Sequence, residues 1–254
     1  MKLLKYLEIL RLTRISLEEY SNWGQDEIHK VTIATTSCNR DSFMKSAYQL
    51  SYTENINPQK ELNNIKQRVN CCSKCSLGKS RLNAVFGNGA VDASLIFIGE
   101  GPGYDEDHKG EPFIGKAGQF LTKIIEAMNY KRETVYISNI VKCHPMIDPC
   151  NPEKRSNDRP PSLEEIKACI PYLDMQLEII RPKIIVTLGA SSTRGLLNNE
   201  EPISKIRGKL KEYKGIKLIP TFHPAALLRN SNLKKPVWED MKKVIRYLET
   251  GEIW

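Results

Sequence analysis

The sequence predicts an α/β protein in which a parallel sheet is covered by helices on both faces. Two observations carry this. Four apolar runs rich in Ile, Val, Leu and Phe (Ser94–Gly99, Val135–Val141, Lys183–Leu188 and Ile216–Phe222) are nearly continuous rather than alternating, the pattern of strands buried on both sides. Segments with helical periodicity lie between them, and alternating β and α elements fold as a parallel sheet with helical layers.

Along the chain, residues 1 to 58 differ in character from the rest. Leu3, Leu4, Leu7, Leu10 and Leu12 are spaced for a short amphipathic helix, and Ser37–Pro58 is a polar stretch that reads as linker. This part carries no recognisable chemistry and is expected to be an N-terminal extension, partly helical or poorly ordered. Residues 59–254 form the expected main domain. A helix over Gln59–Val69 delivers Cys71, Cys72 and Cys75. Helices are expected over Gly118–Met128, Ser162–Ile180 and Ser191–Leu197, and a basic helix over Pro236–Leu248 closes the chain.

Bulk properties narrow the function classes. Of 254 residues, 40% are hydrophobic, enough for one large globular core with an appendage. Lys and Arg number 38 against 30 Asp and Glu, so the formal charge is +8. That balance favours a polyanionic partner such as nucleic acid, although a merely basic surface gives the same sum. No apolar run reaches the roughly 18 residues of a membrane helix. Met1–Leu12 alternates Lys and Arg with Leu and lacks a small-residue cleavage site, so it does not read as a signal peptide. Seven cysteines without a secretion signal suggest a reducing compartment, where clustered thiols bind metal more often than they pair.

Ligands of parallel sheets bind beyond the carboxyl ends of the strands. The first predicted strand ends at Gly99-Glu100-Gly101-Pro102-Gly103, the second holds Asn139 near its end, the third runs into Gly189-Ala190-Ser191, and the fourth ends at His223-Pro224. Glu100, Asn139 and His223 are therefore expected to converge. The glycine-rich turn has neither dinucleotide nor P-loop spacing, and its acidic residues would repel phosphate. They are expected to hold a water or a small neutral group, or else to start a helix. Phe113, between glycines and a proline, could stack on a base or fill the core. Asn139 can donate and accept at a pyrimidine edge, or simply satisfy nearby backbone. Cys72 and Cys75 form a C-x2-C pair followed by the separated Cys143 and Cys169. This suits a four-cysteine iron–sulfur cluster at least as well as zinc, with Cys71 and Cys150 as competitors. Leu227-Leu228-Arg229 could wedge into a DNA stack or be the first turn of a packed helix. Lys234, Lys235, Lys242, Lys243 and Arg246 could meet phosphates or be a solvated face.

These segments, taken in order, resemble the iron–sulfur, family 4 uracil-DNA glycosylases of bacteria and archaea. The resemblance rests on Cys72-x2-Cys75, Gly99–Asp107, Gly110–Gly118, Ser138–Cys143, Glu165–Cys169, Pro182–Gly189, Ile206–Gly208 and His223–Asn230. It runs from about residue 60 to the C-terminus, and the ordered series is far more specific than any one segment. The resemblance implies a three-layer α/β/α fold around a four-stranded parallel sheet. It implies that Gly99, Glu100 and Gly101 line a uracil pocket, that Phe113 stacks on the flipped base and that Asn139 reads its edge. His223 would face the carbonyl oxygen that gains charge as uracil leaves, and Glu100 or Asp105 would position the attacking water. Cys72, Cys75, Cys143 and Cys169 would hold a structural [4Fe-4S] cluster, and Leu228 and Arg229 would enter the helix. Uracil-containing DNA, single- or double-stranded, is the expected partner of a monomer in the prokaryotic cytoplasm, near the nucleoid and with no membrane contact. A sliding clamp is a further candidate partner. An insertion including Asp148–Arg155 lengthens the Cys143–Cys169 loop relative to the family, and the first 58 residues have no counterpart.

Two other functions compete. A non-catalytic DNA-binding or processivity module could keep the fold, but would be expected to lose some of Glu100, Phe113, Asn139 and His223, all of which are present. An iron–sulfur redox sensor would couple the oxidation state of its cluster to DNA affinity.

Overall fold

The computed structural model describes residues 57–252. The predicted helix over Leu3–Leu12, and the predicted linker as far as Ile56, lie outside these residues. Helix α1 (Pro58–Asn70) starts where Asn57 Oδ1 accepts from the Gln59 and Lys60 amides and Pro58 fills the first turn. It leads through the cysteine loop to the short α2 (Leu77–Ser80) and strand β1 (Asn88–Gly89). Strand β2 (Leu95–Gly99) is followed by α3 (Tyr104–Lys109), α4 (Lys116–Ala127) and β3 (Tyr136–Asn139). After a long loop come α5 (Leu163–Ile180), β4 (Ile184–Leu188), α6 (Ala190–Leu197) and α7 (Ile203–Ile206). Strands β5 (Lys211–Tyr213) and β6 (Ile216–Thr221) precede α8 (Pro224–Arg229) and α9 (Lys234–Thr250).

The sheet order is β1-β3-β2-β4-β6-β5. The central β3, β2, β4 and β6 are parallel, as expected. Two short antiparallel edges are added. β1 pairs with β3, and β5 folds onto β6 through Lys214 and Gly215, both at positive φ (49° and 81°), as a two-residue primed turn requires. Neither edge was visible as an apolar run, because neither is deeply buried.

Side chains alternate between the two faces of the sheet. Ile96, Ile98, Tyr136, Ile185 and Leu218 join a core with Leu62, Ile65 and Val69 of α1 and with Tyr172, Leu173 and Leu177 of α5. Leu95, Phe97, Ile137, Val186 and Ile219 join the opposite core with Leu121 and Ile125 of α4 and with Val237, Met241 and Val244 of α9. This is the α/β/α sandwich. Each such side chain contributes about 1.5–3 kcal/mol by leaving water, which makes the sheet a rigid platform for whatever its edge carries. No helix among the described residues is long and apolar enough to cross a membrane.

Candidate active site

Four loops meet beyond the carboxyl ends of the parallel strands. Gly99 and Asn139 are register partners at the ends of β2 and β3, and Leu188 and Thr221 are partners at the ends of β4 and β6. A Cβ on Gly99 would overlap both Asn139 Oδ1 and the Phe113 ring. One on Gly189 would come within 3.0 Å of His223 Cβ. The Phe113 and His223 rings lie 5.8 Å apart, tilted by 35°. Gly99, Phe113, Asn139 and His223 thus lie side by side at the sheet edge, and glycine at 99 is what lets them close. Gly101 stands a little apart: a Cβ there would meet Val141 at 2.8 Å and Pro145 at 3.3 Å.

Phe113 is held under strain. It is buried with φ at 52°, a region that non-glycine residues enter at a cost of about 1–3 kcal/mol and chiefly at functional sites. Arg132 fixes the carbonyls on either side, donating from Nη2 to Pro112 O at 2.6 Å and Phe113 O at 3.0 Å. Glu106 takes the amides of Ile114 and Gly115 on Oε1 and that of Gly103 on Oε2, and so binds the glycine turn to the Phe113 loop. Gly118 lies so close beneath that a Cβ would run into the Phe113 carbonyl. Gly118→Ala is therefore expected to lower stability by the overpacking cost of about 1–3 kcal/mol, read as a drop in Tm. A wild-type melt would show that the loop can yield without cost.

Of the two readings of the acidic turn, the structure shows the helix start. The turn begins the short helix α3, and Glu106 and the fully buried Asp107 are committed to backbone, Asp107 taking the amides of Leu82 and Asn83. Asp105 is half-exposed and pairs with Arg155 of the insertion at 3.3 Å, while the Arg155 guanidinium lies 4.4 Å over the Tyr104 ring. Glu100 is different. Burial raises its carboxyl above the ordinary value of 4.5, a hydrogen bond with Ser191 opposes this, and the charge of Asp158 adds to it. Ser191, Glu106, Arg132 and Gly118 all escaped the sequence reading as site-shaping residues. Only Ser191 carried a signal, its place at a strand end.

His223 caps α8, and the Ala225 amide donates to its Nδ1 at 3.2 Å. That fixes the tautomer, since an accepting Nδ1 leaves the proton of the neutral ring on Nε2. Burial draws the ring down to about 4, helped by the positive charge of Arg229. The imidazole is thus a neutral donor at physiological pH. Asn139 is 1% exposed, and its Oδ1 has no partner. Leaving such an acceptor orphaned costs about 1–3 kcal/mol, so the site lacks a donor that a ligand could bring.

Cys72, Cys75, Cys143 and Cys169 line a single cavity between α1 and α5, together with Arg81 and Lys142. Cys71 and Cys150 are exposed and do not line it. Among the described residues no three His, Cys, Asp or Glu side chains are drawn close enough for one metal ion. Thiols set around a cavity fit a cluster, where each sulfur takes a separate iron, better than they fit zinc. Burial pushes the Cys143 thiol up to about 11 against the neighbouring Arg81, whose Nη1 donates to Cys143 Sγ at 2.9 Å. Cationic neighbours of this kind favour the thiolates that iron requires. Glu165 braces the surround. It accepts from Ser76 beside Cys75 and takes a two-pronged bond from Arg159, which holds its carboxyl down to about 2.

Leu228 projects from α8 at 50% exposure, while Leu227 beside it is buried in the helix packing. Arg229 follows at the exposed helix end. In the basic helix, Lys242 pairs with Glu239 and Lys243 donates to Gly208 O, so part of that charge is spent within the fold.

Comparison with known proteins agrees with this layout. The family model described as the uracil DNA glycosylase superfamily matches residues 86–242. A type-4 uracil-DNA glycosylase of Sulfurisphaera tokodaii is 46% identical over 192 residues, which cover 72% of this chain and 83% of the relative. Another, from Thermotoga maritima, is 40% identical over 189 residues, 73% of this chain and 93% of the relative. A third, from Archaeoglobus fulgidus, is 39% identical over 191 residues, 72% and 91% of the two chains. With the matched span running from Phe86 through the strand ends into α9, the chain belongs to the uracil-DNA glycosylase superfamily and, within it, to the type-4 group.

Proposed function

We propose that residues 59–254 form a monofunctional glycosylase domain that excises uracil from DNA, acting as a monomer in the prokaryotic cytoplasm. The observation that carries this is the pairing, at one sheet edge, of an orphaned buried acceptor at Asn139 with a neutral imidazole at His223. Uracil offers an N3–H donor beside the O4 carbonyl, so the Asn139 amide can meet both. Phe113 supplies a stacking face. A base inside a duplex cannot reach such a pocket and must be flipped out, at a cost of a few kcal/mol. In this reading the exposed Leu228 fills the vacated stack and the exposed Arg229 meets backbone phosphate, and single-stranded DNA avoids the cost altogether.

The proposed reaction is hydrolysis of the glycosidic bond. The bond between N1 of uracil and C1′ breaks, its electron pair goes to the base, and negative charge gathers on O2. The Nε2–H of His223 stabilises that oxyanion, a role worth about 3–4 kcal/mol in comparable sites. A neutral donor suits the task, since it needs no proton from solvent. Water, oriented by Glu100, adds to C1′, and the proton it loses passes by way of that carboxylate to the departing uracil anion. Asp105 is the weaker candidate, because Arg155 already engages it at the rim. The products are uracil and an abasic site.

Cys72, Cys75, Cys143 and Cys169 would hold a [4Fe-4S] cluster, which supplies a cross-link between the α1 loop, the end of β3 and α5 rather than reaction chemistry. The test is an oligonucleotide with one uracil, incubated with the protein and then treated with alkali. Strand cleavage only after alkali, with the thymine control intact, is expected. An uncut strand, from protein with full iron and sulfide, would reject catalysis and leave a DNA-binding module.

A further inference from the structure

Lys142 is buried to 1% exposure, one residue before Cys143, and it lines the cysteine cavity. Its Nζ donates to Ser138 Oγ at 2.6 Å, Asn139 O at 2.9 Å and Gln176 Oε1 at 2.7 Å. All three acceptors are neutral, and Lys142 has no ion pair among the described residues. An ammonium taken out of water without a counter-charge costs several kcal/mol, so lysines this deep are paired. A cluster held in the neighbouring cavity would supply the missing anion. A [4Fe-4S] core of charge 2+ on four thiolates is a dianion, and the Lys142 amide itself donates to Cys169 Sγ at 3.3 Å. The same ammonium grips the carbonyl of Asn139, the residue proposed above to read the base.

We propose that Lys142 is the internal counter-cation of the cysteine-bound cluster and the positioning residue that ties the cluster to the base-reading end of β3. This rests on the cluster assigned under the proposed function. Gln176 completes the link, donating from Nε2 to Phe86 O and Tyr136 Oη while its Oε1 holds the ammonium, so the charge is locked to the sheet. A fixed positive charge beside the cluster favours its reduced, more negative state. Removing or neutralising that charge must make the reduction potential more negative.

The test compares three variants of the full chain by film voltammetry, with iron and sulfide per protein measured in parallel. Lys142→Met deletes the charge, Gln176→Glu neutralises it without changing shape, and Ser138→Ala removes one hydrogen bond while leaving the charge. Both charge variants are expected to shift the midpoint potential negative or to lose iron, while Ser138→Ala keeps both at wild-type values. Charge variants with full iron and a wild-type potential would overturn the proposal, as would a Ser138→Ala shift as large as theirs, which would leave only packing. Wild-type protein without iron and sulfide would instead reject the cluster itself.

Discussion

Replacing His223 by alanine should slow uracil release in single-turnover assays by about 10²–10³-fold, the usual cost of deleting one donor at a developing oxyanion. DNA binding should change little, because the bond strengthens as charge forms on the base. The pH profile separates this histidine from its neighbour. With its pKa drawn to about 4 from an ordinary 6.5, His223 stays neutral across the physiological range and puts no inflection near pH 6.5. Glu100 must be ionised to orient water, and burial raises its pKa above 4.5, so the rate should fall as pH drops through that raised value. Glu100→Gln should be slow but without that acid limb. A limb near pH 6.5 that vanishes in His223→Ala would make the histidine a titrating acid or base and reject the neutral-donor assignment. Stability carries a matching sign. The unfolded chain takes up a proton at histidine before the folded one does, so His223 contributes stability that is full above about pH 6.5 and declines toward pH 4. In His223→Ala that part of the pH dependence of Tm should be gone.

Much of this arrangement was legible because parallel strands announce themselves. Leu95–Gly99 and Ile184–Leu188 are buried on both faces, so no polar alternation obscures them, and the residues just beyond must lie on the sheet's carboxyl edge. That rule alone brought Glu100, Asn139 and His223 together. The cysteine cavity was legible in part: the C-x2-C pair marked Cys72 and Cys75, the resemblance pointed to Cys143 and Cys169, and only the fold sets these four, without Cys71 and Cys150, around one cavity. What stayed hidden was the scaffolding. Glu106 and Arg132 act on backbone groups far away in sequence, and no local pattern marks a side chain whose partners are carbonyls and amides of another loop. The split between Asp105 and Glu100 depended on Arg155, in an insertion whose course no periodicity reveals. No local pattern marks Lys142; only the fold shows that it points inward.

Asn139→Leu separates a residue kept for binding from one kept for folding. Leucine has the same branched outline, so the pocket between Gly99 and Phe113 stays filled. The native Oδ1 is buried without a partner, and replacing an unsatisfied polar group by an apolar one of like shape is neutral or stabilising. The Lys142 bond goes to the Asn139 carbonyl and survives the change. Tm is therefore expected to hold or rise. Excision should collapse, because uracil would bring its N3–H and O4 into a site with nothing to meet them. Two buried hydrogen bonds left unmade at about 1–3 kcal/mol each amount to a loss of about 30-fold or more. A variant that is both slower and less stable would point to a structural asparagine. One that is stable and fully active would mean that the base is read elsewhere. A stable but inactive protein is the expected result for an asparagine whose buried Oδ1 has no partner within the fold and is kept to meet the base.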